Sequence, residues 1–155
     1  MSSYEDKIKE QARRYLQPGE RVLAAFVARP RGAMQARTGL AGSIVGGRKV
    51  GQQRRAAEEA GLQLASPMAL TLTDQRLLVL RISPPIAMGR GGDVKDLVSE
   101  VPLTDVDSID AKRLLVGKVV TVTVRGTPFK LEVGVGENVQ GVADGLALAK
   151  TGVTK

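Results

Sequence analysis

At 155 residues, 43% hydrophobic and 25% charged, the chain has the size and composition of one soluble globular domain, expected to span residues 1–155 and to form a core without disulfides or metals. It contains no Cys and no His, which excludes thiol nucleophiles, imidazole bases and disulfides together with the usual zinc and iron ligands. The net charge of +7 sits in one stretch: Arg21, Arg29, Arg31, Arg37, Arg48, Lys49, Arg54 and Arg55 lie between residues 21 and 57 with no acidic residue, while the other 15 basic and 16 acidic residues leave the remainder at −1.

The opening MSSYEDKIKEQARR lacks the apolar run of a secretory signal, and Ser2 stands where myristoylation needs Gly. No stretch approaches the ~18 apolar residues of a membrane-spanning helix, so a cytoplasmic protein without a transmembrane segment is expected. Ser2 and Glu5 match a capping box, and Tyr4, Ile8, Ala12, Tyr15 and Leu16 recur at helical spacing, which predicts a helix over 3–16. Gln17-Pro18-Gly19 ends it, because Pro disfavours helix in the residue before it. The run RVLAAFVAR, 21–29, reads as a buried strand stopping at Pro30. Residues 33–61 are rich in Ala, Gly, Gln and Arg and end in QQRRAAEEAG, which predicts a long helix weakened at its glycines. In MALTLTDQRLLVLRI, strands over 68–73 and 77–82 flank the turn residues Thr73 to Arg76, a β-hairpin.

Residues 83–92, with two prolines and three glycines, read as a mobile loop. Short strands are expected over 97–103 and 106–109. Val120, Val122 and Val124 alternate with Thr121 and Thr123; after the turn Arg125-Gly126-Thr127-Pro128, Phe129, Leu131, Val133 and Val135 alternate with outward Lys130 and Glu132. Asn138 is placed to cap a last helix bearing Val139, Val142, Ala143, Leu146 and Ala149 on one stripe.

The strings PGERVLAAF, LTLTDQRLLVL, EVPLTDVDSI and VTVTVRGTPFKLEV, in this order, resemble the bacterial pleckstrin-homology-like (PH-like) domains, relatives of GRAM domains, over residues 18–150. The resemblance implies an α+β fold, a partly open antiparallel barrel of about seven strands with a C-terminal helix plugging one end. To it this chain adds an N-terminal helix in residues 1–17 and a Gly-rich basic insertion over 30–66, between strands 1 and 2. It also implies a non-enzymatic module that binds lipids, peptides or proteins and often self-associates. Phosphoinositide-binding members carry basic residues on both strands flanking that connection; here 68–73 has none, so that ligand does not carry over.

Within the insertion, TGLAGSIVGGRKVGQ invites comparison with phosphate loops. In a Walker loop Gly42 and Gly47 would be followed by Lys and a hydroxyl residue; here Lys49 is one place late and the Mg²⁺ hydroxyl is missing. Gly39, Gly42, Gly46, Gly47 and Gly51 instead suit close helix packing, since Gly42/Gly46 and Gly47/Gly51 have small-xxx-small spacing. Each Gly costs about 1 kcal/mol against Ala in an exposed helix, so contact with the protein's own barrel, a second copy or a protein partner is expected. The alternative is a peripheral binder of anionic lipid or nucleic acid using Arg29, Arg31, Arg37, Arg48, Lys49, Arg54 and Arg55.

Neither a cofactor nor a metal is expected. The run DVDSID, 105–110, lacks the third ligand, Gly and Glu of a calcium loop, holding Ile109, Asp110 and Val116 there, and exposure on one strand face explains Asp105 and Asp107. Ser43 has no histidine to activate it, so no catalytic residue is assigned.

Overall fold

A computed structural model describes residues 4–32, 40–83, 92–114, 117–134 and 137–151. Outside the described residues lie Ser2 of the capping box, Arg37, Gly39, most of the 83–92 loop and Val135. Three α-helices, α1 (Tyr4–Ala12), α2 (Leu40–Glu59) and α3 (Val139–Thr151), accompany seven strands. The strands are β1 (Val22–Pro30), β2 (Met68–Thr73), β3 (Arg76–Ile82), β4 (Val94–Pro102), β5 (Val106–Arg113), β6 (Lys118–Val124) and β7 (Thr127–Val133).

All pairings are antiparallel, in the order β4-β3-β2-β1-β7-β6-β5. Leu70, Leu77 and Val101 from one half share an apolar cluster with Val106, Val122 and Phe129 from the other. The sheet therefore curls to face itself, while β4 and β5 remain as unpaired edges among the described residues. Val139, Val142 and Leu146 of α3 enter the same cluster, and Asn138 caps that helix by accepting from the Gly141 N–H at 2.9 Å. This is the α+β, seven-stranded arrangement implied by the PH-like resemblance, with the helix inserted between β1 and β2.

The outer face of the first half carries a second cluster, in which Ile8 and Ala12 of α1 cover Ala25, Ala69, Leu78 and Leu80. Strands β2 and β3 are consequently buried on both faces, the reason RLLVLRI reads as an apolar run, and in MALTLT the alternating Thr71 and Thr73 are buried along with Leu70 and Leu72. Strands β6 and β7 have one inward face, and they alternate.

Several predicted boundaries are corrected. The first helix ends at Ala12 and tightens into a 3-10 turn, Arg13–Tyr15. Strand β4 begins at Val94 and stops at Pro102 rather than spanning 97–103, and register shifts against β3 at Val79/Leu80 and Arg81/Ile82 interrupt its alternation, which weakens the local signal. Strand β5 continues to Arg113; its last residues are exposed and held by pairing with β6, so no apolar signal marks them. Asp105 lies in a 3-10 turn before β5, where its carboxylate accepts from Arg125 Nη2 at 2.7 Å. Asp107 accepts from the Gly126 N–H at 2.7 Å. Both carboxylates thus hold the β6–β7 turn, instead of simply facing solvent from one strand.

Candidate functional site

Helix α2 has two unlike faces. The inward face carries Gly46, which is buried, then Val50, Gln53, Ala57 and, just past the helix end, Ala60. Ala57 and Ala60 join the main core, and Gln53 Oε1 accepts from the Lys130 N–H of β7 at 2.7 Å. The close approach occurs at Gly32, just past β1, where φ is +103° and an added Cβ would stand 2.7 Å from the Gly46 carbonyl oxygen. Only a residue without a side chain fits that conformation and that gap together.

The outward face carries Ile44, Gly47, Arg48, Gly51 and Arg55, positions that form one stripe at helical spacing. Ile44 is 52% exposed, and among the described residues no atom beyond the helix's own backbone and Gly47's chain neighbours lies within 4 Å of where a Gly47 Cβ would be. The five glycines predicted as one contact set are thus divided: Gly46 faces the barrel, Gly47 is exposed, Gly51 is half-buried beside the Arg55 guanidinium, and Gly42 lies in the first turns of α2.

The predicted basic set is divided as well. Arg48, Arg54 and Arg55 are exposed along α2, whereas Lys49 is half-buried with its Cβ against Gly32. Arg29 and Arg31 stand apart from them, lining a cleft of about 260 Å³ with Leu114, Lys118, Glu132 and Val133. Sequence reasoning missed Leu114 and Lys118. The available signal was KRLLVGK, apolar residues between basic ones at a hairpin. In the cleft Glu132 accepts from the Gly32 N–H at 2.9 Å and faces Arg31 Nη1 at 3.7 Å.

Two further polar clusters were not foreseen. Strands β1 and β7 pair only at Arg29↔Glu132 and Pro30↔Leu131. Earlier along that edge, the Ala25 N–H donates to Glu5 Oε2 at 3.0 Å and the Val27 N–H to Glu137 Oε1 at 2.8 Å. Two carboxylates therefore stand in for strand carbonyls. Burial raises the Glu137 pKa, the Val27 N–H opposes this, and the nearby Glu5 charge adds to it.

At the start of β1 the Arg76 guanidinium donates to Glu20 through Nε at 2.9 Å and Nη2 at 2.6 Å, to Glu100 at 2.6 Å, and to the Tyr15 carbonyl at 3.0 Å. The Thr73 hydroxyl donates to Glu20 at 2.6 Å. These hydrogen bonds, Arg76 foremost, outweigh burial and hold the Glu20 carboxyl at about 2. The Arg76 pKa is raised by the same partner. Every contact of this cluster is internal, so it fastens the N-terminal segment to the sheet.

Among the described residues there is no group of three or more acidic side chains placed to hold a metal ion, and no helix is long and apolar enough to cross a membrane. No protein-family model matches the chain, and no curated protein sequence is detectably similar to it. A solved structure of a DUF1696 family protein with a pleckstrin-homology domain from Shewanella loihica aligns with a TM-score of 0.44 at 10% identity, covering 92% of this chain and 89% of that one.

Proposed function

We propose that this chain is a non-enzymatic interaction module that contacts a second protein surface, in the first instance another copy of itself, through the outward face of α2. The observation that carries this reading is the state of Gly47. Its helix cost of about 1 kcal/mol is offset by no packing from the described residues outside its own helix backbone, none of which lies over it. Beside it Ile44 is half exposed, and Gly47-xxx-Gly51 spacing lets a second backbone approach closely. Arg48 and Arg55 flank the stripe and would set orientation rather than affinity.

Sedimentation equilibrium of the intact protein tests it. Concentration-dependent dimerisation that Gly47→Gln abolishes, with the helix content unchanged, is the expected result. A monomer at every concentration, for both proteins, would sink the self-association reading.

A second reading rests on the exposed Arg48, Arg54 and Arg55, which could meet an anionic lipid or nucleic-acid surface. The exposed Glu58 and Glu59 at the end of the same helix oppose it. Binding to phosphatidylglycerol vesicles or DNA at about 50 and 200 mM salt discriminates, since phosphate contacts lose affinity steeply over that range. Binding absent at low salt, or present without salt dependence, would remove this reading.

A further inference from the structure

The cleft between the end of β1, the β5–β6 hairpin and the end of β7 combines features that neither face of α2 has. Its walls bring Arg29, Arg31 and Lys118 around one carboxylate, Glu132, against an apolar side supplied by Leu114 and Val133. Glu132 is already engaged by the Gly32 N–H. Its approach to Arg31 at 3.7 Å is longer than a hydrogen bond, so the five-donor guanidinium keeps donors to offer. Lys118 makes no ion pair among the described residues, although it is half-buried at the cleft wall.

The enclosure is also fixed in place. Gly117 has φ +76°, and a side chain there would collide with the Val133 carbonyl. Together with the Lys118↔Val133 pairing, this seats Gly117 and the start of β6 directly on β7. Leu114, 37% exposed, remains as an apolar rim. At about 260 Å³ the space falls just below the roughly 300–1,000 Å³ of ordinary small-molecule sites. It suits a charged group with a short apolar chain better than a large ring system.

We propose that this cleft binds a small amphiphilic anion, a phosphate or carboxylate on a short alkyl chain, with Arg31 and Lys118 holding the anion and Leu114 and Val133 the chain. The site involves no residue of the α2 outward stripe, so it stands or falls separately from the self-association reading.

The test is a titration of the full chain with hexyl phosphate, followed by amide chemical shifts, with hexanol and inorganic phosphate as half-ligands. Hexyl phosphate is expected to shift the amides of Gly117, Lys118, Val133 and Gly134 with a dissociation constant on the order of 1 mM, at least about ten-fold tighter than either half-ligand. Lys118→Gln should weaken it about ten-fold by removing a charge-assisted donor, and Leu114→Ser about five-fold by removing apolar contact. Lys118 lies outside the core, so matching thermal melts will show that the variant is folded; Arg31→Gln supplies an independent second loss at the anion end. Gly47→Gln should leave hexyl phosphate binding unchanged.

Three outcomes would overturn the proposal: no shifts at these amides, hexanol binding as tightly as hexyl phosphate, or affinity unaffected by both Lys118→Gln and Arg31→Gln. Attachment to phosphatidylglycerol vesicles without any cleft response to hexyl phosphate would also count against it, because it would place the anion on the surface instead.

Discussion

The two ends of β1 use the same kinds of residue for opposite purposes. Before its first residue, Glu20 and Arg76 are buried and paired: Thr73 and the Gln17 N–H complete the Glu20 carboxylate, while Glu100 and the Tyr15 carbonyl bring Arg76 to four of its five donors. At its far end, Arg29 within the strand and Arg31 just past it line a cleft where Glu132 is the only carboxylate among the described residues of the wall. Charge at the first end has little capacity left for a ligand. At the second end Arg31, 3.7 Å from Glu132, keeps donors to offer, and the difference separates a structural clasp from a candidate site more reliably than charge density along the sequence.

The largest break in that comparison should come from Arg76→Ala. It leaves the fully buried Glu20 carboxylate uncompensated, and urea unfolding should reveal a loss of about 3–5 kcal/mol. Replacing both partners at once, Glu20→Leu with Arg76→Met, should cost much less, because no unpaired charge remains. If the double variant were as unstable as Arg76→Ala, the clasp would owe its effect to packing and not to paired charge.

Acid should act on the same clasp without mutation. The Glu20 carboxyl titrates at about 2 in the folded chain against an ordinary 4.5, so its contribution is present above about pH 4.5 and is lost as the pH falls toward 2. The shift corresponds to about 3 kcal/mol. Glu137 works in the opposite direction: its raised pKa means that protonation on mild acidification relieves a buried charge, which adds stability before the Glu20 loss sets in. Denaturant unfolding measured from pH 7 to 2 should therefore fall mainly below pH 4.5, and Glu20→Gln should flatten that fall.

Much of this architecture was legible in the sequence because local signals agreed with tertiary ones. Valine–threonine alternation gave β6, the LTLTDQRLLVL hairpin gave β2 and β3, and Asn138 with its apolar stripe gave α3. What could not be read was whatever depends on which strands become neighbours. Glu20 and Arg76 are 56 positions apart, and nothing local in either segment marks the pair. The cleft is likewise assembled from β1, the β5–β6 hairpin and β7, so Lys118 read only as a basic residue starting a strand. Within α2 the glycines were legible as a packing signal, but a low-contrast helix with Gly on both sides does not reveal which side faces the barrel.

Gly32→Ala should be next in size. It combines a side chain at φ +103° with collision against Lys49 Cβ and the Gly46 carbonyl, a backbone cost of about 1–3 kcal/mol before the clash is counted. Because this substitution lifts α2 from the far end of β1 without touching a charge, it should also disturb the amides of Lys49 and Val50. A loss of stability without those local shifts would mean that α2 is not held at Gly32.

The smallest effect discriminates best. Gly47 sits in the middle of α2 with no described residue outside the helix's own backbone within 4 Å of an added Cβ, so Gly47→Ala should stabilise the monomer by up to about 1 kcal/mol through helix propensity and reduced unfolded-state freedom. If the outward face packs closely on another copy, the same methyl group intrudes on that contact and the dimer dissociation constant should rise. Stability and association would then move in opposite directions, which neither a purely structural nor a purely solvated glycine can produce. A stability gain with association unchanged would leave the glycine without a contact role, and the outward face of α2 would lose its claim as the interaction surface.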